Sequence, residues 1–379
     1  MFARNDDQEL FAETTGRFLD AECRPATLRA LAGTKAGFDQ QYWQRGAELG
    51  WTSLIVPEDA GGGSVSGDGV ADLALLAYEF GHHSAPGPLL GANVVSAAVG
   101  RWGSDEQRRG PLADWMAGQA IPAWAYAEPP PDDGLGVVTA RAINDGDMVV
   151  LSGVKSPVEA GAEANHALVV ACHQHGSSQF LVPLDAPGVT VVPLDGLDLT
   201  RRAARIELDD VRVGVSSLVG AAGEAGPAVA WLMDLAVVIQ LAEMVGAMQW
   251  AFDTTLDWTF NRYSFGRPLA SYQEIKHRFA DMAMWLEGGY AIAAAAATAV
   301  GADSPNRAET VSAGKFYIGR YGAELLQDCV QLHGGIGVTF DHDLHLFLRR
   351  VTTNVAMHGT PSQHAARIAT ILDIPEGQR

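Results

Sequence analysis

The segment VAMHGTPSQH at residues 355–364 contains His358, a residue able to carry out proton transfer. The imidazole group has an unperturbed pKa of about 6.5, so it can accept a proton at neutral pH. A second group, in the segment DHDLH, has residue types that can bind a metal ion. Its members are Asp341, His342, Asp343 and His345. Solvated surface charge also explains this second group, so we expect no metal site there. His358 remains a candidate general base.

The composition indicates a globular protein that folds without disulfide bonds. The chain has 379 residues, 47% of them hydrophobic, and three cysteines without CxxC spacing. The formal net charge of -19 argues against nucleic-acid binding, which depends on Lys and Arg neutralising phosphates. The N-terminus has no apolar secretion segment, and the Ala-rich run near 291–300 is too short for a membrane span. We therefore expect a cytoplasmic protein that binds neither nucleic acid nor a membrane.

Hydrophobic periodicity divides the chain into three parts. Residues 1–122 show the helical period, residues 123–225 contain short β-branched runs between turn residues, and residues 226–379 return to the helical period. Within the first part, a proline and a glycine cluster at 49–63 predict a surface loop. The predicted strands include 148–153, 167–172, 179–184 and 189–194, and the predicted bundle helices are 227–262, 268–300, 306–332 and 343–373.

Five motifs, in this order along the chain, resemble the acyl-CoA dehydrogenase family. They are LGWTSLIVPEDAGG at 49–62, AYAEP at 125–129, NRYSFGRPLASYQEIKHRFADM at 261–282, QLHGGIG at 331–337 and MHGT at 357–360. The resemblance covers nearly the whole chain, and the combination is specific although each motif alone is weak. It implies a mainly α fold with a central β domain. The expected parts are an N-terminal helical domain (1–122), a middle β-barrel-like domain (123–225) and a C-terminal four-helix bundle (226–379).

The resemblance also implies FAD, shared between two subunits. In the family the isoalloxazine lies between the β domain and the bundle of one chain, and the neighbour's bundle grips the ADP half. The residues of this chain that match the gripping motifs RxxFG and QxxGGxG, with the following glutamine and the threonine of MHGT, are Arg262, Phe265, Gly266, Gln273, Gln331, Gly334, Gly335, Gly337 and Thr360. An arginine fork suits a pyrophosphate, and glycines let the backbone approach a dinucleotide. Taken singly, Arg262 is also consistent with a surface salt bridge and the glycines with a helix cap and turn.

The half that would hold the chain's own flavin departs from the family pattern. The family typically has Thr-Glu-Pro followed by Gly-Ser-Asp, but this sequence reads AEPPPDDGLG with Ala127 in place of the threonine. Where the family has Trp-x-Thr after a lysine, Lys155 is followed by SPVEAG. Pro157 cannot stack on a flavin as an indole does, and Glu159 would bring an anion towards it. We expect ordinary turn structure here instead of a flavin contact.

The family's catalytic carboxylate is also replaced. The usual glutamate precedes Gly-Thr, and His358 stands there. A minority of the family carry the glutamate on the first bundle helix, but the matching residue is Ala236. Glu243 follows two turns later, roughly 10 Å away by helical rise, and a helix-surface or interdomain charge is its simpler interpretation. The losses therefore affect residues acting on the chain's own flavin, whereas residues acting on a neighbour's FAD remain.

This pattern is what one expects of the non-catalytic subunit in a heteromeric acyl-CoA dehydrogenase, as found among actinobacterial enzymes that degrade steroid side chains. The expected partners are an acyl-CoA substrate, a homologous subunit giving two pairs in a tetramer, and an electron-transfer flavoprotein or similar acceptor. Otherwise the protein is a homotetramer. One alternative is a homotetrameric flavin-dependent monooxygenase of the same fold with His358 as base. Another is a binding or scaffolding protein without cofactor, which the matched FAD motifs oppose.

Overall fold

The computed structural model describes residues 4–34, 37–129 and 138–373. Contact density divides the chain into two compact units. We call them the bundle unit (described residues 4–28, 74–85 and 237–373) and the sheet unit (described residues 29–34, 37–73, 86–129 and 138–236). Helical regions flank a region of strands along the chain, so the predicted fold class is confirmed. The division into three domains stays a prediction.

Twelve α-helices are present in the described ranges. They are α1 Asp6–Glu22, α2 Pro25–Ala32, α3 Gln40–Glu48, α4 Gly69–His82, α5 Leu89–Trp102, α6 Asp105–Gln107, α7 Ala113–Met116, α8 Gly226–Asn261, α9 Gln273–Gly301, α10 Arg307–His333, α11 Leu344–Ala356 and α12 Pro361–Ile371. The first helix begins at a capping box, in which the Asn5 side chain accepts from the Gln8 backbone and the Gln8 side chain bonds back.

The predicted bundle helices are confirmed except for the last. The segment 343–373 forms two helices, α11 and α12, because the residues between them cannot continue a helix. His358 and Gly359 have positive φ angles of 56° and 92°. Pro361 then occupies the first turn of α12, where its missing N–H costs nothing.

Among the described residues, two helices, α8 and α9, meet the length and hydropathy of a membrane span. The Ala-rich run near 291–300 belongs to the 29-residue helix α9, which lies almost wholly within the helix predicted at 268–300. For α8, 83% of the apolar window is buried inside the fold. That burial is typical of the core helix of a globular domain, because a helix that is hydrophobic on all sides must be covered on all sides.

The sheet unit contains one eight-stranded sheet. Its strands are β1 Pro122–Ala125, β2 Arg141–Asp145, β3 Met148–Glu159, β4 His166–His173, β5 Gly176–Pro183, β6 Val189–Leu194, β7 Ala203–Gly214 and β8 Leu218–Val219. They follow the order β6-β7-β3-β2-β4-β5-β8, with β1 pairing in parallel with β4. The four predicted strand segments correspond to β3, β4, β5 and β6, and mostly valine and alanine side chains form the core of the sheet.

The predicted surface loop at 49–63 is only partly exposed. Trp51, Leu54, Ile55 and Val56 are buried in the sheet unit. The Cβ of any larger residue at Gly46 would lie 2.1 Å from the Trp51 ring, so this glycine makes room for the indole. Proline and glycine correctly indicated that the chain turns here, but they carried no information about burial.

Candidate functional site

The motif RYSFG forms a tight hairpin directly after α8. Its two short strands are β9 Tyr263–Ser264 and β10 Arg267–Pro268, joined by Phe265 and Gly266. Both joining residues have positive φ, 48° and 81°, as the type I′ form of a two-residue hairpin loop requires. The hydroxyl of Tyr272 donates to the Ser264 carbonyl at 2.8 Å, which ties the hairpin to the start of α9. The ring of Phe265 is 98% exposed.

The Arg262 side chain is exposed beside this hairpin. Its guanidinium carbon lies 5.9 Å from the centre of the Trp258 ring. Within the described ranges it forms no ion pair, so a surface salt bridge does not account for it. Gln273, the first residue of α9, is also exposed. The donors of Arg262 therefore face outwards.

The glycines after α10 have three different roles. Gly334 has a φ of 65°, which favours glycine. Gly337 is buried, and a Cβ there would lie 2.6 Å from the Val330 carbonyl oxygen, so its smallness serves internal packing. Gly335 has open space at the Cβ position. Of the three, Gly334 and Gly335 leave exposed backbone that a ligand can approach, and Gln331 is exposed one turn earlier.

Trp258 brings the hairpin and the glycine turn to the same end of the bundle unit. Its ring stacks on His333, the last residue of α10, with 5.1 Å between ring centres. His333 donates from Nδ1 to the Cys329 carbonyl at 2.8 Å, and burial is the main cause that lowers the pKa of its ring. Arg278 of α9 pairs with Asp328 of α10 at 3.2 Å. The structure therefore brings most of the predicted cofactor residues to one exposed end of the bundle unit. We call this set of residues the grip, and its members are Arg262, Phe265, Gly266, Gln273, Gln331, Gly334 and Gly335.

Thr360 does not belong to the grip. It is the N-cap of α12, where its hydroxyl accepts from the Gln363 backbone and its own N–H donates to the Gln363 side chain at 2.7 Å. The start of α12 lies against α10 near Gly319, where a Cβ would meet Pro361 at 2.7 Å. From Gly319 to the glycine turn, α10 rises by roughly 20 Å. Helix capping accounts for this threonine without a cofactor.

His358 lies in the turn between α11 and α12. The side chain is partly exposed, and the backbone is in the left-handed region. Its carbonyl accepts a hydrogen bond from His364 Nε2 at 2.9 Å. His364 is buried, and burial is the first of the causes that lower its pKa to about 4. The imidazole of His358 is thus presented on a turn whose backbone is held by a neutral histidine.

Glu243 is not a charge on the helix surface, so that part of the interpretation was wrong. It is fully buried in the bundle unit. One carboxylate oxygen lies 3.4 Å from Arg350 Nη1, and the other accepts from Asn354 Nδ2 at 3.0 Å. Arg350 also donates to the Ala85 carbonyl at 3.0 Å. Sequence periodicity missed this ion pair because its members are 107 residues apart, although two charged residues inside apolar helix patterns were a signal for it.

In the sheet unit, Lys155 forms a structural ion pair. Its ammonium is fully buried and donates to Glu128 at 2.6 Å and to the Tyr126 carbonyl at 3.2 Å. Burial alone would raise the pKa of Glu128, but hydrogen bonds from Lys155, Thr139 and the Ala140 backbone outweigh it and lower the pKa. The resulting pair joins the end of the AYAEP motif to β3. Lys155 therefore has a structural role in the interior of the sheet unit.

The residues that follow Lys155 also have structural partners. Glu159 lies 3.7 Å from Arg201, so its charge is compensated within the sheet unit. Pro157 is exposed, and the Ala127 carbonyl accepts from the Ser156 backbone at 2.9 Å. The expected loss of the Gly-Ser pair falls at 130–137, which lies outside the described residues. Turn and ion-pair chemistry explains the described part without a flavin contact.

Asp341, His342 and Asp343 lie between the glycine turn and α11, and His345 lies in the first turn of α11. The His342 ring contacts His333 with 4.3 Å between ring centres, and the His345 ring contacts Phe340 at 4.7 Å. Within 4–34, 37–129 and 138–373, no three potential ligands lie together as a metal ion requires. Each of these histidines therefore has an aromatic partner close to the glycine turn.

Comparison with known proteins identifies the family. Residues 5–119 match the N-terminal domain and residues 229–372 the C-terminal domain of acyl-CoA dehydrogenases. The acyl-CoA dehydrogenase IpdE2 of Mycolicibacterium smegmatis is 26% identical over 96% of this chain and 98% of its own length. FadE27 of Mycobacterium tuberculosis is 29% identical over 91% of each chain.

Solved structures give the same result. The crystal structure of the ChsE4-ChsE5 complex from Mycobacterium tuberculosis contains a chain that is 25% identical over the full length of both, with a TM-score of 0.90. A variant of the Tcur3481-Tcur3483 steroid ACAD is 26% identical over 97% of this chain and 98% of its own, with a TM-score of 0.88. The fold, the order of motifs and these matches together show that the chain belongs to the acyl-CoA dehydrogenase family.

Proposed function

We propose that this protein is the subunit of a heteromeric, FAD-dependent acyl-CoA dehydrogenase that completes the FAD site of a homologous catalytic chain. Two such pairs form a cytoplasmic tetramer. The substrate is an acyl-CoA thioester of steroid breakdown, and an electron-transfer flavoprotein or similar acceptor takes up the electrons. Three features support a mixed tetramer: the grip, the turn in which His358 takes the place of the usual glutamate, and the two-chain complexes among the similar structures.

The observation that carries the proposal is the outward exposure of the grip. Arg262 is exposed without an ion pair in the described ranges, and Phe265 is 98% exposed. The same two segments carry further exposed large apolar side chains, namely Phe260 and Tyr263 at the hairpin and Ile336, Val338 and Phe340 in and after the glycine turn. Exposed apolar side chains that lie together are typical of an interaction surface. A cofactor held here would belong to a molecule outside this bundle.

The positions of the family's catalytic carboxylate hold other residues in this chain. His358 occupies the position of the usual glutamate, and Ala236 that of the less common one. Glu243 is the nearby carboxylate by sequence, but Arg350 and Asn354 already bind it in the interior. Withdrawing it from this pair would leave a buried, uncompensated arginine, which is costly.

The grip fits the ADP half of FAD by its chemistry. Arg262 supplies a planar set of donors suited to a pyrophosphate, Phe265 an apolar face for an adenosine, and Gly335 a backbone with open space at its Cβ position. When bound, FAD accepts the hydride removed from the β-carbon of the acyl group. The residues of this chain bind and orient the cofactor, and the base that removes the α-proton is supplied by the partner.

Reconstitution of activity tests the proposal. The chain alone, a homologous dehydrogenase chain alone, and the two co-expressed would be assayed for steroid acyl-CoA oxidation with an artificial electron acceptor. We expect turnover only in the mixed sample. Full turnover by either chain alone would contradict the division of labour.

Two glycine substitutions should separate folding from cofactor access. Gly337→Ala forces a methyl group against the Val330 carbonyl, so the free energy of unfolding should fall by about 1–3 kcal/mol. Gly335→Ala meets open space, so its stability should change by less than about 0.5 kcal/mol. FAD retention by the mixed complex should nevertheless weaken in Gly335→Ala. Urea unfolding and flavin absorbance measure the two effects, and unchanged FAD retention in Gly335→Ala would show that the exposed backbone is not a contact.

Removing the imidazole of His358 should leave dehydrogenation nearly unchanged. His358→Asn is the appropriate variant, because asparagine tolerates the left-handed backbone at this position. The turnover number of the mixed complex is the measurement. A loss of several powers of ten would instead favour the flavin-dependent monooxygenase with His358 as base.

A further inference from the structure

A buried lysine lies beneath the turn that carries His358. Lys315 of α10 is fully buried. Its ammonium group donates to Gln240 Oε1 at 2.7 Å, to the Met357 carbonyl at 2.8 Å and to the Asn354 carbonyl. An ammonium group has three N–H donors, so these three acceptors satisfy it completely. Two of them are backbone groups at the end of α11, where a helix leaves its last carbonyls without partners.

The turn needs external support because its backbone is strained. His358 is a non-glycine residue with a φ of 56°, and Gly359 follows with 92°. Such conformations persist where the surroundings fix them. Lys315 holds the Met357 carbonyl, and His364 Nε2 holds the His358 carbonyl at 2.9 Å. His364 in turn contacts Ser312 of α10 through Nδ1 at 3.1 Å.

We propose that Lys315 is a positioning residue, whose ammonium group fixes the backbone of the Met357–Thr360 turn and so presents His358 in a single geometry. Gln240 holds the ammonium in place from α8, and Asn354 couples it to Glu243. A neutral amine has two N–H groups for the same three acceptors. One acceptor then loses its donor, and the turn loosens.

The charges around Lys315 allow its protonation to be followed. The nearby charged or titratable groups are Glu243 on α8, Arg350 on α11, and His364 and Arg367 on α12. Glu243 and Arg350 compensate each other. His364 has a pKa of about 4, lowered first by burial and then by the charges of Lys315 and Arg367, so it is neutral above pH 6. Burial lowers the pKa of Lys315 to about 7.

Hydrogen exchange of the intact mixed complex tests the proposal. The reporters are the amides of Met357, bonded to the Thr353 carbonyl at 3.1 Å, and of Thr360, bonded to Gln363. In Lys315→Met both should exchange at least tenfold faster. The matched control is Lys155→Met, which removes another fully buried lysine, from the sheet unit, and should leave both amides unchanged. Unchanged exchange in Lys315→Met would overturn the proposal.

A pH profile distinguishes positioning from mere space filling. After correction for intrinsic base catalysis, protection of the two amides should fall between pH 6 and pH 9 in the unsubstituted chain and be flat in Lys315→Met. An unperturbed imidazole has a pKa of about 6.5, so the profile is repeated in His358→Asn, where the fall should persist. Disappearance of the fall in His358→Asn would assign it to His358 and contradict our proposal.

A second variant covers the case in which Lys315→Met fails to fold. Gln240→Met removes one acceptor and leaves the ammonium in place, so the amides should exchange faster by a smaller factor. No acceleration would argue against the network. Both amides bond to groups of this chain, Thr353 and Gln363, so the measurement reports on the turn and not on flavin content. The inference can therefore fail while the proposed function stands, and the reverse also holds.

Discussion

Replacing Arg262 with alanine should weaken FAD retention by the mixed complex roughly 10- to 100-fold. The reason is that hydrogen bonds from a guanidinium to a pyrophosphate are charge-assisted and contribute about 1.5–3 kcal/mol. The isoalloxazine is expected in the partner chain, so this substitution acts across the subunit boundary. Flavin absorbance after gel filtration at several dilutions measures the loss.

A matched control for this effect is Arg320→Ala. Arg320 is another exposed arginine of the bundle unit, with 58% of its side chain exposed and an ion pair to Glu324 at 3.6 Å. This variant should retain FAD as the unsubstituted chain does. If the two variants behaved alike, general surface charge and not the grip would explain FAD retention.

Replacing Arg350 with methionine should lower the free energy of unfolding of the mixed complex by about 3–5 kcal/mol. Arg350 and Glu243 both have fully buried side chains. Removing one member of a buried ion pair leaves the other charge without compensation in the interior. Urea unfolding followed by circular dichroism, at a fixed concentration of the complex, measures the change.

The double variant Arg350→Met with Glu243→Leu is the control for this mechanism. With both charges gone, most of the lost stability should return, because well-packed apolar residues commonly replace a buried ion pair at little cost. If the double variant were as unstable as the single one, packing around Arg350 and not charge compensation would be responsible.

The elements of the fold were largely predictable because hydrophobic period reports which face of an element is buried. It located the four named strands β3, β4, β5 and β6 and the long helices α8, α9 and α10 well. It failed at 357–360, where local backbone geometry and Pro361 break an otherwise helical pattern. It also failed at Trp51, because burial of a turn depends on contacts such as that with Gly46, which pattern alone does not reveal.

The residues of the grip could be predicted from the sequence, whereas the buried partners of Glu243 and Lys315 could not. The motifs identified the grip because Arg262, Phe265 and the glycines are close to each other in sequence or in a fixed family order. Gly337 and Thr360 were assigned to the cofactor, but the structure also gives them packing and capping roles. The partners of Glu243 and Lys315 come from different helices. Sequence spacing therefore could not predict the ion pair of Glu243 or the hydrogen-bond network of Lys315.

The most direct test of the account is the flavin content and native mass of the chain purified alone and co-expressed with a homologous dehydrogenase chain. We expect a flavin-free protein when it is alone. With the partner, we expect a tetramer of two chain types that binds about one FAD per pair. A homotetramer with one FAD per chain would contradict the account, because the sheet unit would then hold a flavin that its residues are not expected to bind.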